Sequence, residues 1–284
     1  MLGFKFMNGG SEMNLQVLIP TMNQTDYSIL KKMNIRSDAI IVNQCDKNDF
    51  DKFMYDENSI IFYSFNERGV GLSRNTSLMR ATADICLFAD DDVTYYDNYK
   101  EIVLEEFIKN PNADVIVFNL KSTHPQRGKR INKENKRIRL QNVFRYGTCR
   151  IAVRLSSVRR KNINFSLLFG GGTKYSAGED SLFLRDCLKN GLKIFSSKEF
   201  IGSVSYEEST WFKGYNDKYF FDKGAFFEAA LPRFKYFLLL YYSIKLRKHS
   251  FFRVIKLMYQ GTKGYKNDLS FNNWKQITEG ENND

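Results

Sequence analysis

No pair of cysteines in this sequence has the Cys-x-x-Cys spacing of a zinc site, because Cys45, Cys86, Cys149 and Cys187 are scattered along the chain. The same scatter offers no disulfide framework, so each is expected to be a small buried hydrophobe. No amino-terminal run has the basic, apolar and small-residue layout of a signal peptide. The longest apolar stretch, near Phe237 to Tyr242, is too short to span a bilayer. A cytoplasmic protein is therefore expected. Acidic residues are in deficit: 43 Lys and Arg face 32 Asp and Glu, a formal net charge of +11. That excess favours anionic partners, whether phosphates, nucleic acid or acidic lipid, without choosing among them.

What is present is enough for a sizeable core. With 43% hydrophobic and 15% aromatic residues, a chain of 284 residues can fold as one large domain or as a domain with an appendage. Residues 1–13, which contain Asn8-Gly9-Gly10-Ser11, lack periodicity and are expected to be a disordered leader or an upstream start before Met13. Beyond them, Leu15 to Pro20, Ala39 to Val42, Ile60 to Phe65 and Ile85 to Ala89 read as buried strands. Gly69 to Asp84 has Leu72, Leu78 and Met79 on one helical side, and a second helix runs from about Asp97 to Lys109, before Pro111. Asp114 to Leu120 supplies a further strand of an open, mainly parallel α/β sheet, in which ligands sit at the strands' carboxyl ends. Lys121 to Arg139 is basic and poor in apolar residues, as in a long surface loop. Val143 to Leu155 looks strand-like, Asp180 to Asn190 reads as a helix closed by Gly191, and Leu192 to Ser197 and Ile201 to Tyr206 read as short strands. The last seventy or so residues are expected to be helical.

Ile85 to Val93 reads Ile-Cys-Leu-Phe-Ala-Asp-Asp-Asp-Val, so Asp90, Asp91 and Asp92 directly follow a buried strand. Three adjacent negative charges need compensation. Magnesium or manganese supplies it through hard carboxylate ligands, and can then hold a diphosphate and offset charge on a departing phosphate. A solvated acidic turn is the plainer alternative. Further on, Gly170-Gly171-Gly172 leads to Gly178-Glu179-Asp180 at a predicted helix start. A carboxylate there can meet a substrate or simply cap the helix. The glycine run lacks the Gly-Lys-Ser/Thr of a phosphate loop, and reads as a hinge able to close over a ligand or as an irregular turn.

Together with Leu15-Gln16-Val17-Leu18-Ile19-Pro20-Thr21 and Gly71-Leu72-Ser73-Arg74-Asn75, these motifs resemble glycosyltransferase family 2 in order and spacing, over about residues 14 to 215. The resemblance implies a GT-A fold: α/β, with a Rossmann-like, mainly parallel sheet flanked by helices, here followed by a helical carboxyl-terminal extension. It implies inverting transfer of a sugar from a nucleotide diphosphate, usually UDP, to a hydroxyl acceptor. By the same resemblance Asp92 binds the divalent cation, manganese or magnesium, while Asp90 and Asp91 lie near the ribose and metal-bound water. Pro20 and Thr21 line the nucleotide pocket, Asp46 accepts a hydrogen bond from the base, and Arg74 approaches the nucleotide or its phosphates. That last role suits a rigid guanidinium. Asp180 is the implied catalytic base, taking the acceptor's proton, and Glu179 orients acceptor or base. Each also has an ordinary reading: Arg74 as a helix-surface ion pair, Asp46 as a turn residue, Pro20 as a strand terminator. Many such enzymes add a downstream histidine ligand, but His124 and His249 both lie away from Val204 to Thr210. Phosphate oxygens and water would complete the shell.

Residues 216–284 form the expected extension beyond a catalytic domain of residues 14–215. Aromatic residues gather at Ser209 to Tyr215 and Tyr219 to Phe221, where Trp211 could flank a sugar or fill a core. From Leu231 to Lys266, apolar residues alternate with Lys and Arg, as in a basic amphipathic surface that rests on acidic membrane or caps the catalytic domain. A membrane contact would suit a lipid-linked saccharide acceptor at the inner face of a bacterial plasma membrane, in surface-polysaccharide synthesis. Three rivals stand against transfer. A non-catalytic nucleic-acid-binding module leaves the three aspartates unexplained, so no nucleic acid partner is expected. A non-catalytic sugar-binding protein keeps the fold without turnover. A nucleotidyltransferase would release pyrophosphate and lacks its phosphate-loop signature here.

Overall fold

The protein is described by a computed structural model over residues 7–8, 11–123, 130–205, 214–246 and 249–280. His124 and Trp211, singled out in the sequence, lie outside the described residues, as does most of the leader. The chain divides into two compact units, Met1–Thr173 with Glu179–Ser209, and Lys174–Gly178 with Thr210–Asp284, each taken here over its described residues.

The first unit contains a ten-stranded mixed sheet covered on both faces and, within the leader expected to be disordered, a short antiparallel pairing of Met7–Asn8 with Ser11–Glu12. Its elements are β1 (Leu15–Met22), α1 (Ser28–Lys32), β2 (Asp38–Gln44), β3 (Asp49–Tyr55), β4 (Asn58–Phe65), α2 (Val70–Arg80), β5 (Ile85–Phe88), β6 (Val93–Tyr95), α3 (Tyr99–Lys109), β7 (Val115–Ser122), β8 (Lys136–Ile138), β9 (Ile151–Arg154), α4 (Leu155–Arg160), α5 (Glu179–Lys189) and β10 (Ile194–Val204). The strands lie in the order β8-β10-β7-β9-β5-β1-β2-β4-β3, with β6 paired to β10. Strands β5, β1, β2 and β4 are mutually parallel, as are β7 and β10. Two-sided burial explains why the central strands read as unbroken apolar runs. Val17, Ile41 and Leu87 pack with Leu30, Val103 and Phe107 of the α1 and α3 side, whereas Leu18, Ile40 and Phe88 pack with Leu78, Val158 and Phe183 of α2, α4 and α5.

Several local features differ from the sequence reading, each for a physical reason. The first predicted helix ends at Arg80, short of Asp84. The basic segment after β7 contains β8, whose backbone pairs with Ile194–Ser196 while only Ile138 of the three residues is buried. Ladder bonds come from the backbone, so a polar sequence hides them. Asn132 fastens the same segment by donating to Val117 and Ser197 carbonyls. Val143 to Leu155 holds two 3-10 turns around Gly147 before the short β9. The two predicted strands after α5 are one strand, β10, interrupted by register shifts between Ser196 and Gly202. Edge strand β3 escaped the reading because three of its first four residues are charged and none of its residues is buried.

The second unit is helical: α6 (Asp217–Ala230), α7 (Lys235–Lys245) and α8 (Phe251–Gly280). Phe220, Phe227, Leu239, Val254 and Met258 form its core. Helices α6 and α8 touch backbone to backbone, since a Cβ on Gly224 would lie 1.8 Å from the Met258 carbonyl oxygen and one on Gly261 1.9 Å from that of Phe221. Polar anchors hold the Lys174–Gly178 segment to these helices: Ser176 donates to Asp222 through its amide and hydroxyl, and Tyr175 donates to Asp268 at 2.6 Å. Glu228 pairs with Lys235 at 2.6 Å, both nearly inaccessible to solvent. Gly224→Ala should therefore push the helices apart and lower stability by about 1–3 kcal/mol, read as a lower denaturation midpoint of the helical circular-dichroism signal.

Candidate active site

Parallel pairing brings three strand ends to one edge of the sheet, the carboxyl edge where such folds bind ligands. Leu18 of β1 is level with Phe88 of β5, and Pro20 and Thr21 with Val42 and Asn43 of β2. Ala89 donates to the Leu18 carbonyl, so residue 20, two positions on, turns the same edge toward β5. The β5 ladder has ended there, at Phe88. Proline thus occupies the position where a missing N–H leaves no ladder bond unmade, which accounts for Pro20 inside a central strand. Thr21, next along, donates its hydroxyl to Asp91 at 2.6 Å and accepts from the Gln24 amide at 3.0 Å.

Arg74 ties the two acidic motifs together. Its Nη2 donates to Asp90 at 2.7 Å and its Nη1 to Glu179 at 2.8 Å, with the guanidinium 5.5 Å from the Phe165 ring centre. The side chain is only 5% exposed. Burial works against its charge, yet Asp90, Glu179 and Asp180 outweigh it and raise its pKa above the ordinary arginine value. Helix α2 can bring Arg74 this close because Gly71 has no side chain: a Cβ there would lie 2.4 Å from the Ser166 carbonyl oxygen. At Gly170, φ is +111° and a Cβ would meet Val70 at 2.6 Å and the Glu179 carboxyl at 2.9 Å, so glycine is required on both counts. The Gly171 carbonyl accepts from the Val70 amide at 3.0 Å, which fastens the glycine run to the start of α2.

Asp180 stands beside this pair in the first turn of α5. Burial, followed by the adjacent Glu179 carboxylate, pushes its carboxyl up to about 7, with Asp90 adding to the rise and Arg74 and the Ser181 amide opposing it. The helix N-terminus favours the anion but does not win here. The thiol of Cys149 is also raised, by burial and then by Asp90, so it lines the region as an inert protonated group.

The structure thus gathers Asp90, Arg74, Glu179 and Asp180 in one cluster and joins Asp91 to Thr21 beside it. Asp92 follows in the same turn, its carbonyl accepting from the Ser205 amide at 3.3 Å. Asp46 stands apart, 92% exposed and held by Arg68 at 2.8 Å. Sequence reading missed Arg68, Gln24, Asn43 and Gln44. Buried Gln44 accepts from the Gly69 amide at 2.6 Å, and Asn43 and Gln24 exchange hydrogen bonds at 3.0 Å. The signal was present as polar residues at the end of an otherwise apolar strand, where burial makes each amide find a partner. Among the described residues no three or more His, Cys, Asp or Glu form a protein-only metal cage. The donor set at Asp90 to Asp92 is carboxylate oxygen, which fits a hard cation shared with phosphate oxygens and water.

The family described as Glycosyl transferase family 2 matches residues 17–166, more than half of the chain. The chain belongs to glycosyltransferase family 2, and its activity is glycosyl transfer. Among solved structures it is similar to residues 1–349 of TarS from S. aureus in complex with UDP-GlcNAc, at 14% identity and a TM-score of 0.59, covering 90% of this chain and 92% of that one. The UDP complex of the same protein aligns at 15% identity and a TM-score of 0.57 over the same shares. At that identity the likeness establishes the GT-A fold. No curated protein matches the sequence.

Arg74→Ala should remove the ion pair with the largely enclosed Glu179 and lower stability by about 2–4 kcal/mol, with the Asp90 branch contributing little because that carboxylate is partly solvated. Arg74→Lys should recover less than half of the loss, since one ammonium cannot serve both carboxylates in the fork's geometry. Urea unfolding midpoints of the three proteins measure both effects.

Proposed function

We propose that the protein transfers a sugar, with inversion, from a UDP-sugar to a hydroxyl of a saccharide or lipid-linked saccharide in bacterial surface-polysaccharide synthesis, at the inner face of the plasma membrane. The observation that carries this reading is the Arg74 bridge, which puts a carboxylate of raised pKa within the same cluster as the first aspartate of the strand-end triplet.

In this reading Pro20, Thr21 and the exposed Asp46 form the nucleotide side of the crevice, with Asp90 and Asp91 toward the ribose. Asp92 would hold a magnesium or manganese ion. When bound, the cation supplies positive charge to the diphosphate as it departs. Arg74 is a positioning group: it fixes Asp90 and Glu179 and lends its charge to the region. Asp180 accepts the proton of the acceptor hydroxyl. The hydroxyl oxygen forms its bond to the anomeric carbon from one face while the bond from that carbon to the diphosphate oxygen breaks on the other, releasing UDP. Glu179, fixed by Arg74, keeps Asp180 basic by charge repulsion.

Binding of UDP-sugars, GDP-sugars and UTP, with and without manganese, tests the donor side. UDP-sugars should bind in a manganese-dependent manner, and Asp92→Ala should weaken them roughly tenfold or more. A folded wild-type chain that binds no nucleotide sugar would instead indicate a non-catalytic role.

The base assignment predicts a pH profile. Asp180 must be ionised to accept a proton, and its carboxyl is raised to about 7, so kcat/KM should climb as pH rises through about 7 and level off above. Asp180→Asn should lower kcat by roughly a hundredfold or more and flatten that limb. A product that retains the donor's anomeric configuration would overturn the inverting mechanism.

A further inference from the structure

Helix α7 carries a stripe of large apolar side chains that the fold leaves uncovered. Tyr236, Phe237, Leu240, Tyr241 and Ile244 are all exposed, Phe237 at 67% and Ile244 at 58%, while Leu239 and Ser243 turn inward. The positions 237, 240, 241 and 244 repeat at three and four residues, which makes one continuous helical face. Contiguous apolar patches of this kind mark an interaction surface.

Charge selects the occupant. From Leu231 to Asn267 the sequence has nine Lys and Arg and no Asp or Glu, and although Lys235, Arg253 and Lys266 face Glu228 or Asp217 of α6, cations stay in excess over this stretch. A second copy of the chain would set these cations against their own counterparts, whereas an anionic surface complements them. Arg233 and Lys245 are exposed and lie just before and at the end of α7. The Lys245 ammonium sits 5.8 Å from the Tyr241 ring centre, with its charge beside the aromatic edge of the stripe. The two tyrosines have the apolar body and polar tip of residues that settle at lipid headgroups. Eleven residues at about 1.5 Å each make a helix only about 16 Å long, suited to lying in the interface. No helix among the described residues is long and apolar enough to cross a membrane.

We infer that the α7 face formed by Tyr236, Phe237, Leu240, Tyr241 and Ile244 inserts into the interfacial layer of an anionic bilayer, with Arg233 and Lys245 contacting lipid phosphates. This names the surface behind the peripheral placement proposed above and does not depend on the transfer chemistry.

The test is co-sedimentation of the full chain with vesicles of phosphatidylcholine alone or mixed equally with phosphatidylglycerol. Wild type should partition onto the mixed vesicles, weakly onto the neutral ones, and less as salt rises. Phe237→Glu combined with Leu240→Glu should reduce partitioning by roughly tenfold or more, and Lys245→Glu by about fivefold or more. Both sites are exposed, so melting curves should match wild type, and the lipid preference of wild type itself gives a result that needs no variant. Asp180→Asn should bind vesicles like wild type, so failure of the transferase reading and failure of this one are separable. Wild type that stays in solution with both vesicles, or sediments equally well after the α7 substitutions, overturns the inference. So does a dimer that these substitutions dissociate in a chain that does not bind lipid, because the face would then belong to a second copy.

Discussion

A single buried guanidinium sets the geometry of the site. Arg74 reaches Asp90 at the end of β5 and Glu179 at the start of α5, residues that are 16 and 105 positions away in sequence. Enclosing an arginine costs desolvation energy, and the cost is offset only when both sides of its fork meet carboxylates in good geometry. The surrounding backbone satisfies that demand. Gly71 lets α2 lie against Ser166, Gly170 yields space to the Glu179 carboxyl, and the Val70 amide fastens on the glycine run. None of these contacts involves the chemistry of transfer directly, yet together they determine where the carboxylates stand.

The bridge also divides labour among acids of similar kind. Asp90 and Glu179 each face the cation at close range. Asp180, one residue further on, is partly enclosed and faces Glu179, so its proton is held more tightly than in a free aspartate. Different environments thus separate neighbouring carboxylates, two of them held by one cation and a third that keeps its proton toward neutral pH. The family membership supplies the reaction class. Local electrostatics raise the Asp180 carboxyl, which is the observation behind its proposed role as base.

Much of this was legible in the sequence, and the illegible part has a pattern. Strands β1, β2, β4 and β5 read directly because burial on both faces demands unbroken apolar runs, and the acidic triplet stood out as charge placed directly after one of them. Strands β3 and β8 did not read, because an edge strand is held by backbone bonds that polar and charged residues make equally well. At the site, Pro20, Thr21, Arg74, Asp90, Asp91, Glu179 and Asp180 were all named from short motifs. Their mutual contacts were not legible: Arg74 was expected to approach the nucleotide or its phosphates, with a helix-surface ion pair as the plainer alternative, and only the folded chain shows that it holds the two acidic motifs themselves. Gln44 and Asn43 were passed over because a side-chain amide carries no charge signature, and their importance arises from burial alone.

The raised carboxyl of Asp180 has a thermodynamic consequence for the fold that carries it. Its pKa moves from an ordinary 3.8 to about 7 in the folded chain, so between those values the native state binds more protons than the unfolded state. Stability from this group is complete below the lower value and is lost as pH rises through the upper one. Once ionised, the carboxylate is therefore least favourable to folding. The opposition is tolerable because it is local, with Arg74 holding the neighbouring acids and a sheet buried on both faces holding the rest. A carboxyl that keeps its proton toward neutrality and a folded state that loses stability once it ionises are two expressions of the same desolvated charge.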